Sequence, residues 1–434
     1  VSVVLSSLSS SSVDSTSNDN YKYTQIGTYE LIETVPHDEN AFTQGLEILS
    51  YEKIQIMMNN IHHHNAKQNN DQNTNDSDSG NNITAADTDT DNNILNYSSS
   101  TLSSSTSTPT SPSPSLLLSN NYYLESTGRY GESSLRIVEL LTGIVIQELT
   151  VDDSFFAEGC TYYYVPPPPE KEDVSITTTS DTNVITLRIV QLSWQSGRGF
   201  VYELSIPTST STSTNDFPML QRRGEFTMED YDSNSLLTTN GQGWGITYYP
   251  ITQQFIISDG TEYLHFWELI EEEREENNEK QPEPQQEEET GTSAASITFT
   301  FNLVHKIRVT RRLELDSESG TNNDNGNGID NGNDYTIIMD NNNDSYWTST
   351  VDQINELEWD PYYNNGTTLL ANLWNTNYIV RIQLPISPSS SKSPSILLNV
   401  DTNDEQHPND GKVLYQYDLS EITNIVFNSG SSIR

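Results

Sequence analysis

The chain has 434 residues, of which 33% are hydrophobic, and its formal net charge at pH 7 is -42. This excess of acid excludes the basic surface that nucleic-acid binding requires, so no nucleic-acid partner is expected. No run of about 18 apolar residues occurs, so we expect no membrane-spanning helix.

Polar residues are concentrated in tracts that separate segments rich in Tyr, Trp, Ile, Val and Leu. Such tracts cannot bury enough apolar surface to offset their chain entropy, so we predict that they are disordered insertions. Residues 1–20 are predicted to be a disordered segment or the remnant of a signal, and 21–434 a single domain. The predicted insertions are residues 52–120, 163–184, 206–216, 271–296, 316–345 and 386–410.

Four segments between the tracts share one pattern. In chain order they are FTQGLEI, FFAEGCTYY, GQGWGITYY and INELEW. Each has a distinctive residue, then Gly or Glu, then an apolar residue. The distinctive residues are Gln44, Glu158, Trp244 and Asn355.

Each of these segments is followed by an apolar strand, a polar turn and an alternating strand. The examples are YYLESTGRYGESSLRIVEL, IVQLSWQSGRGFVYEL, FIISDGTEYLHFWEL and LLANLWNTNYIVRIQL. Alternation with a period of two is typical of half-buried strands, and the polar centres are typical of hairpin turns. Without the tracts the repeat is roughly 45–55 residues long, as in a four-stranded propeller blade. The sequence therefore predicts an all-β protein, a β-propeller with about one blade per repeat.

The first strand of each propeller blade lines the central channel, so the four distinctive residues are expected to converge on one pocket. The alternative is that they are unrelated strand residues around a structural axis. A fifth unit begins near residues 411–422, and the sequence ends at Arg434 without a fifth copy of the channel-lining strand. We therefore expect the last blade to be incomplete.

The motifs FTQGL, ESTGRYGESSLR, AEG, LSW, GWGITY, SDG, NELEW and ANLWNT occur in the order in which glutamine cyclotransferases carry them. From about Tyr21 to Ile422 the chain resembles the plant and bacterial type of glutaminyl-peptide cyclotransferase. The resemblance implies a five-bladed β-propeller that converts N-terminal glutaminyl residues of peptides and proteins to pyroglutamate and releases ammonia. It implies no cofactor and no catalytic metal. The chain departs from the family in its long insertions and in lacking a segment like LNGIA followed by TGKxWP.

Glu158 is the predicted catalytic residue, because a carboxylate can take a proton from an attacking amine and return it to the leaving nitrogen. Its aromatic neighbours are expected to desolvate it and raise its pKa toward neutrality. The structural alternative is a glutamate held by backbone donors at a strand bulge. Gln44 and Asn355 are predicted to bind the substrate through their neutral amides, the alternative being amides bonded to backbone.

Four aromatic residues are predicted to be walls of the substrate pocket, and their alternative is ordinary blade packing. They are Phe42, Trp194, Trp244 and Trp374. Glu356 is either a second channel carboxylate or a member of a buried ion pair. We expect Asp259 to be a turn residue, Arg136 to pair with a channel carboxylate in a structural role and Cys160 to be a small core residue.

A second function stays open, a catalytically inactive propeller that serves as a protein-binding platform. The predicted partners of the enzyme are peptides or proteins with N-terminal Gln, and the chain is expected to be a monomer in the secretory pathway or outside the cell. His62, His63 and His64 have no Cys or Asp partner at a fixed spacing, so no metal site is predicted there.

Overall fold

The computed structural model describes twelve stretches of the chain. They are residues 2–5, 25–26, 31–38, 40–61, 122–166, 184–207, 218–229, 242–274, 296–314, 336–339, 345–385 and 410–420. Three short strands come first: β1 (Ser2–Leu5), β2 (Gln25–Ile26) and β3 (Leu31–Val35). β1 pairs antiparallel with β3.

Four antiparallel meanders of four strands each then follow one another within the described residues. The first has β4 (Thr43–Ile48), β5 (Tyr122–Thr127), β6 (Ser134–Glu139) and β7 (Val145–Thr150). The second has β8 (Ala157–Tyr164), β9 (Val184–Ser193), β10 (Arg198–Pro207) and β11 (Met219–Glu229). The third has β12 (Ile246–Tyr249), β13 (Gln254–Ser258), β14 (Tyr263–Arg274) and β15 (Ser296–Glu314).

The fourth meander is preceded by the hairpin β16 (Thr336–Met339) and β17 (Ser345–Thr350), which extends the sheet of β15. The meander itself has β18 (Ile354–Asp360), β19 (Thr368–Leu373), β20 (Tyr378–Gln383) and β21 (Gly411–Asp418). A 3-10 helix, Asn364–Gly366, joins β18 to β19. The last strands also pair in parallel, β11 with β15 and β15 with β21, and β2 adds to β21.

The first strands of the four meanders form the centre of the molecule. β4 contacts β8, β8 contacts β12, β12 contacts β18, and β18 contacts β4. Four meanders whose first strands surround one axis are blades of a β-propeller, so the predicted fold class is confirmed. The described residues build four blades. The prediction that a fifth unit begins near residue 411 is wrong, because Gly411–Asp418 pairs with β20 as the last strand of the fourth blade. The count of five stays a prediction.

Glycines let the first strands lie close together. A Cβ atom on Gly45 would come within 2.7 Å of the Cys160 nitrogen, and one on Gly159 within 2.7 Å of the Trp244 carbonyl oxygen. A Cβ atom on Gly245 would overlap the Asn355 carbonyl oxygen. Because these neighbours are backbone atoms, which cannot rotate away, only glycine permits this spacing.

The first predicted insertion begins too early in the sequence. Residues 51–61, of which we assigned 52–61 to the insertion, form a helix that we call α1. The Ser50 hydroxyl accepts a hydrogen bond from the Lys53 backbone nitrogen at 3.3 Å, and Ile54 and Met57 are completely buried in the core. Its apolar residues recur every three or four positions, so one helical face packs against the blades.

Other predicted insertion bounds also overlap regular structure, because strand alternation continues into segments of polar composition. β8 extends to Tyr164, β10 to Pro207 and β14 to Arg274, and β16 lies within the tract predicted at 316–345. β1 likewise lies within the predicted N-terminal disordered segment. Most of the remaining tract residues, with His62, His63 and His64, lie outside the described residues. In the described part of the chain no helix is long and apolar enough to cross a membrane.

Candidate active site

The four distinctive residues lie at one level of the inner ring. Each immediately precedes a ring position: Gly45, Gly159, Gly245 and, on β18, Glu356. The Gly159 nitrogen donates a hydrogen bond to the Trp244 carbonyl oxygen at 2.9 Å. The Ser258 hydroxyl accepts from the Gly245 nitrogen at 2.9 Å and donates to the Asn355 carbonyl oxygen at 2.6 Å. These bonds fix the register of neighbouring blades at the level of the distinctive residues.

Strand bulges coincide with three of these positions. The pairing register shifts between Thr43 and Gly45 on β4, between Ala157 and Cys160 on β8, and between Ile354 and Leu357 on β18. Gln44, Glu158 and Asn355 therefore stand where their own strand leaves the regular ladder. A bulge re-aims side chains and is common beside active sites. The sequence pattern located these residues, but it did not show the bulges.

Glu158 has the environment that its aromatic neighbours predict. Its residue surface is 7% exposed, and no other described residue forms a hydrogen bond or ion pair with its carboxylate. Burial raises the pKa of Glu158 to about 8. The structural alternative is a glutamate held by backbone donors at a strand bulge. The bulge is present, but within the described residues no backbone donor bonds to the carboxylate. Glu158 can therefore exist in both protonation states near neutral pH.

An aromatic cluster lies beside Glu158 at the junction of the first two blades. Phe156 is its centre, with ring centroids 6.2 Å from Phe42, 5.5 Å from Tyr130 and 5.6 Å from Trp194. The Trp194 nitrogen donates to the Phe156 carbonyl oxygen at 2.8 Å. The predicted walls Phe42 and Trp194 are thus brought together, while Phe156 and Tyr130 were missed. Both missed residues stand in motifs of the sequence, Phe156 in FFAEGCTYY two positions before Glu158 and Tyr130 in ESTGRYGESSLR.

A second aromatic pair lies at the junction of the third and fourth blades. Trp244 and Trp374 make an edge-to-face contact with ring centroids 5.8 Å apart. Trp374 keeps 53% of its surface exposed, and the Trp244 Nε1 donates to Gln242 Oε1 at 2.9 Å. The pair therefore offers an accessible apolar surface, while the N–H of Trp244 is already engaged.

The amides of Gln44 and Asn355 are uncommitted within the described part of the chain. Both residues are half-buried, and neither side chain forms a hydrogen bond with another described residue. The Gln44 side chain lies against Phe156, since a Cβ atom on Gly128 would meet both at about 2.5 Å. The described residues therefore show no hydrogen bond between either side-chain amide and the backbone, which was the alternative to substrate binding.

Below the ring lies a buried charge cluster that the sequence did not reveal. Lys53 of α1 donates to Glu47 of β4 at 2.7 Å and to Glu358 of β18. Its ammonium group also lies 5.6 Å from the Tyr162 ring centroid and 5.9 Å from that of Trp359. Burial alone would lower the pKa of Lys53, but Glu358 and Glu47 outweigh it and raise that pKa. The cluster joins the first blade to the fourth.

Glu356 is excluded from this ion pair. Its Oε1 atom is buried and has no hydrogen-bond partner within the described residues. Burial raises the pKa of Glu356 well above its ordinary value, and the charges of Glu158, Glu358 and Glu47 raise it further. Of the two alternatives for Glu356, the channel carboxylate fits the structure, and Glu358 takes the ion pair instead.

The remaining candidates have structural surroundings. Asp259 accepts a hydrogen bond from the Thr261 nitrogen at 3.0 Å, as expected for a turn residue. Arg136 donates to Glu148 at 2.9 Å within the first blade. Cys160 is buried, and burial raises the pKa of its thiol well above the ordinary value. A thiol in this state is a core group rather than a nucleophile.

Comparison with known proteins gives one family match. A family model described as glutamine cyclotransferase matches residues 79–164, a range that includes Phe156 and Glu158. The match covers less than half of the chain. The resemblance to glutamine cyclotransferases is thereby confirmed for this segment, which covers β5 to β8.

A search of curated proteins found no match. Among solved structures, the chain is similar to the β-propeller domain of Myceliophteria thermophila Cps50 (Swd1), with 7% sequence identity over 70% of each chain and a TM-score of 0.24. The fold is assigned above from the strand pairing of the chain itself.

Proposed function

We propose that this protein is a glutaminyl-peptide cyclotransferase, which converts N-terminal glutaminyl residues of peptides and proteins to pyroglutamate and releases ammonia. The observation that carries the proposal is the buried carboxyl group of Glu158, which has no hydrogen-bond or ion-pair partner among the described residues. It stands at a bulge of a channel-lining strand and inside the segment that matches the glutamine cyclotransferase model.

The reaction is intramolecular. The substrate's α-amine attacks the carbon of its own side-chain carboxamide, so a C–N bond forms and the carbonyl oxygen becomes an oxyanion. The bond from that carbon to the carboxamide nitrogen then breaks, and this nitrogen leaves as ammonia with the proton that the amine has lost. Because the nucleophile is tethered, the protein has to hold the folded conformer, move one proton and stabilise the oxyanion.

Glu158 can move that proton. Its carboxylate takes the proton from the attacking amine, and the resulting carboxylic acid gives it to the leaving nitrogen. A pKa of about 8 suits both proton transfers, since neither the carboxylate nor the carboxylic acid is strongly preferred near the working pH. The free α-amine has an ordinary pKa of about 7.7–8.0, so a useful fraction of substrate is already unprotonated there.

The other site residues bind and orient the substrate in this scheme. The Phe156 cluster provides an apolar wall for the methylene groups of the glutaminyl side chain, and the Trp244–Trp374 pair faces the opposite side of the ring. The uncommitted amides of Gln44 and Asn355 hydrogen-bond to the substrate amine and carboxamide oxygen. No metal or cofactor takes part in this scheme.

The proposal is tested with the full chain and a fluorogenic N-terminal glutaminyl substrate, with ammonia release as a second readout. We expect cyclisation that survives chelators and falls by about 100-fold or more in the Glu158→Gln variant. Glu268→Gln, which changes an exposed glutamate of β14, is the matched control and should keep full activity.

Three results would count against the proposal. A full chain that forms no pyroglutamate refutes it and favours the binding platform. A Glu158→Gln variant as active as the wild type removes the assigned proton shuttle. Activity that chelators abolish and added metal restores contradicts the metal-free scheme.

A further inference from the structure

Glu356 occupies a position that is glycine in the other three blades. Gly45, Gly159 and Gly245 each lie against the next inner strand, and a Cβ atom on Gly245 would come within 2.7 Å of the Glu356 Cα atom. The ring level that directly follows Gln44, Glu158, Trp244 and Asn355 therefore carries one side chain among the described strands. The packing of the inner strands does not require a side chain at this level, because the other three described blades have glycine at the same position.

Within the described residues, the surroundings of this side chain contain no available cation. From β4 it faces Glu47, from β8 Glu158, and from its own strand Glu358. The buried Cys160 thiol of β8 lies near the same carboxyl group. Lys53 of α1 is held by Glu47 and Glu358. Trp244 and Gly245, which directly precede β12, carry no charge.

A carboxyl group in this position is stable as the neutral acid. One of its oxygens, Oε1, is buried and has no hydrogen-bond partner in the part of the chain that the structure describes, while the residue as a whole is half-buried. An ionised carboxylate would leave a charge unpaired beside three other carboxyl groups, which is costly in a buried setting. The neutral form removes that charge and has an O–H group that can donate a hydrogen bond.

We propose that Glu356 is a second functional group of the site, a protonated carboxylic acid that donates a hydrogen bond to the carboxamide oxygen of the bound glutaminyl residue. This inference rests on the proposed function. Glu158 moves the proton, and Glu356 keeps its own proton while it stabilises the oxyanion. The two carboxyl groups lie at adjacent ring levels and have different tasks, because Glu356 faces three other carboxyl groups and keeps its proton, whereas Glu158 exchanges its own.

The kinetic test compares two replacements of Glu356 of similar size. Glu356→Gln keeps a hydrogen-bond donor and should retain kcat within about tenfold of the wild type. Glu356→Leu removes the donor and should lower kcat by about 100-fold or more, with a much smaller change in KM. Urea denaturation midpoints of both variants show whether either loss reflects unfolding. A Leu variant that folds and matches the wild type, or a folded Gln variant as impaired as the Leu variant, overturns the proposal.

Infrared spectroscopy of the protein without substrate tests the protonation state separately. At pH 9.5, where Glu158 with its pKa of about 8 is mostly ionised, the wild type should show a carboxylic-acid C=O band that is absent from Glu356→Gln and present in the Glu268→Gln control. Identical spectra of the wild type and Glu356→Gln overturn the proposal. A full chain that forms no pyroglutamate refutes the proposed function instead, and the infrared band then still reports whether Glu356 is a neutral acid.

Discussion

Replacing Glu158 by glutamine should make the stability of the protein depend less on pH. In the folded protein burial raises the pKa of Glu158 from its ordinary value of 4.5 to about 8. Between these two values the folded state keeps a proton that the unfolded chain has released. The free energy of unfolding of the wild type therefore falls as pH rises through this window.

The size of this effect follows from the same two values. Each pKa unit corresponds to about 1.4 kcal/mol, so the cost of ionising Glu158 in the folded protein is on the order of 4 kcal/mol between pH 5 and pH 9. Glutamine has nearly the same shape and does not titrate. At pH 5 the two proteins should have similar stability, and at pH 9 the variant should be more stable by several kcal/mol.

Urea denaturation followed by tryptophan fluorescence at pH 5 and pH 9 measures the difference by linear extrapolation. The comparison of wild type and variant at each pH cancels the titration of every other group that both proteins share. The Glu268→Gln control should have the same free energy of unfolding as the wild type at both pH values. If the stability difference between Glu158→Gln and the wild type is the same at pH 5 and pH 9, Glu158 does not titrate in the folded protein as described.

Three other predictions address the reaction, the inner ring and the charge cluster. The kcat of cyclisation should rise with pH through about 8, because the carboxylate of Glu158 is the proton acceptor; a pH–rate profile that is flat from pH 6 to 9 would contradict this role. Gly245→Ala should destabilise the fold by about 1–3 kcal/mol or more, because its Cβ atom overlaps backbone of β18; an unchanged thermal midpoint would show that the inner strands can separate at no cost. Lys53→Met should cost about 3–5 kcal/mol in urea denaturation, because Glu47 stays buried without its cation, whereas the exposed Lys306→Met serves as control; equal midpoints for both variants would mean that the ion pair is dispensable.

Much of the fold could be predicted because the inner strands repeat. The same short pattern recurs four times, and repetition around an axis places equivalent residues at one level. The structure places Gln44, Glu158, Trp244 and Asn355 directly before the four ring positions, as the repeat predicts. Desolvation of Glu158 also follows from its aromatic neighbours. The roles of these residues in substrate binding and catalysis stay predictions, as do secretion and the monomeric state.

The missed features depend on contacts between distant parts of the chain. Glu47 and Glu358 look like ordinary alternating strand residues, and only the approach of β4 to β18 brings both to Lys53. The helix α1 was missed for a different reason. Its apolar spacing from Tyr51 to Ile61 was present in the sequence, but the Asn-rich composition that follows extended the predicted insertion over it.

The location of Lys53 determines how far this protein can be trimmed. A deletion that starts at residue 52 removes α1, three residues of the buried core and the cation that joins the first blade to the fourth. A deletion that starts after residue 61 leaves all of these in place. The helix α1 is thus a structural part of the propeller. Its length is about three helical turns, and it stands at the beginning of the predicted insertion. A minimal version of the protein should be designed from that boundary rather than from the composition of the sequence.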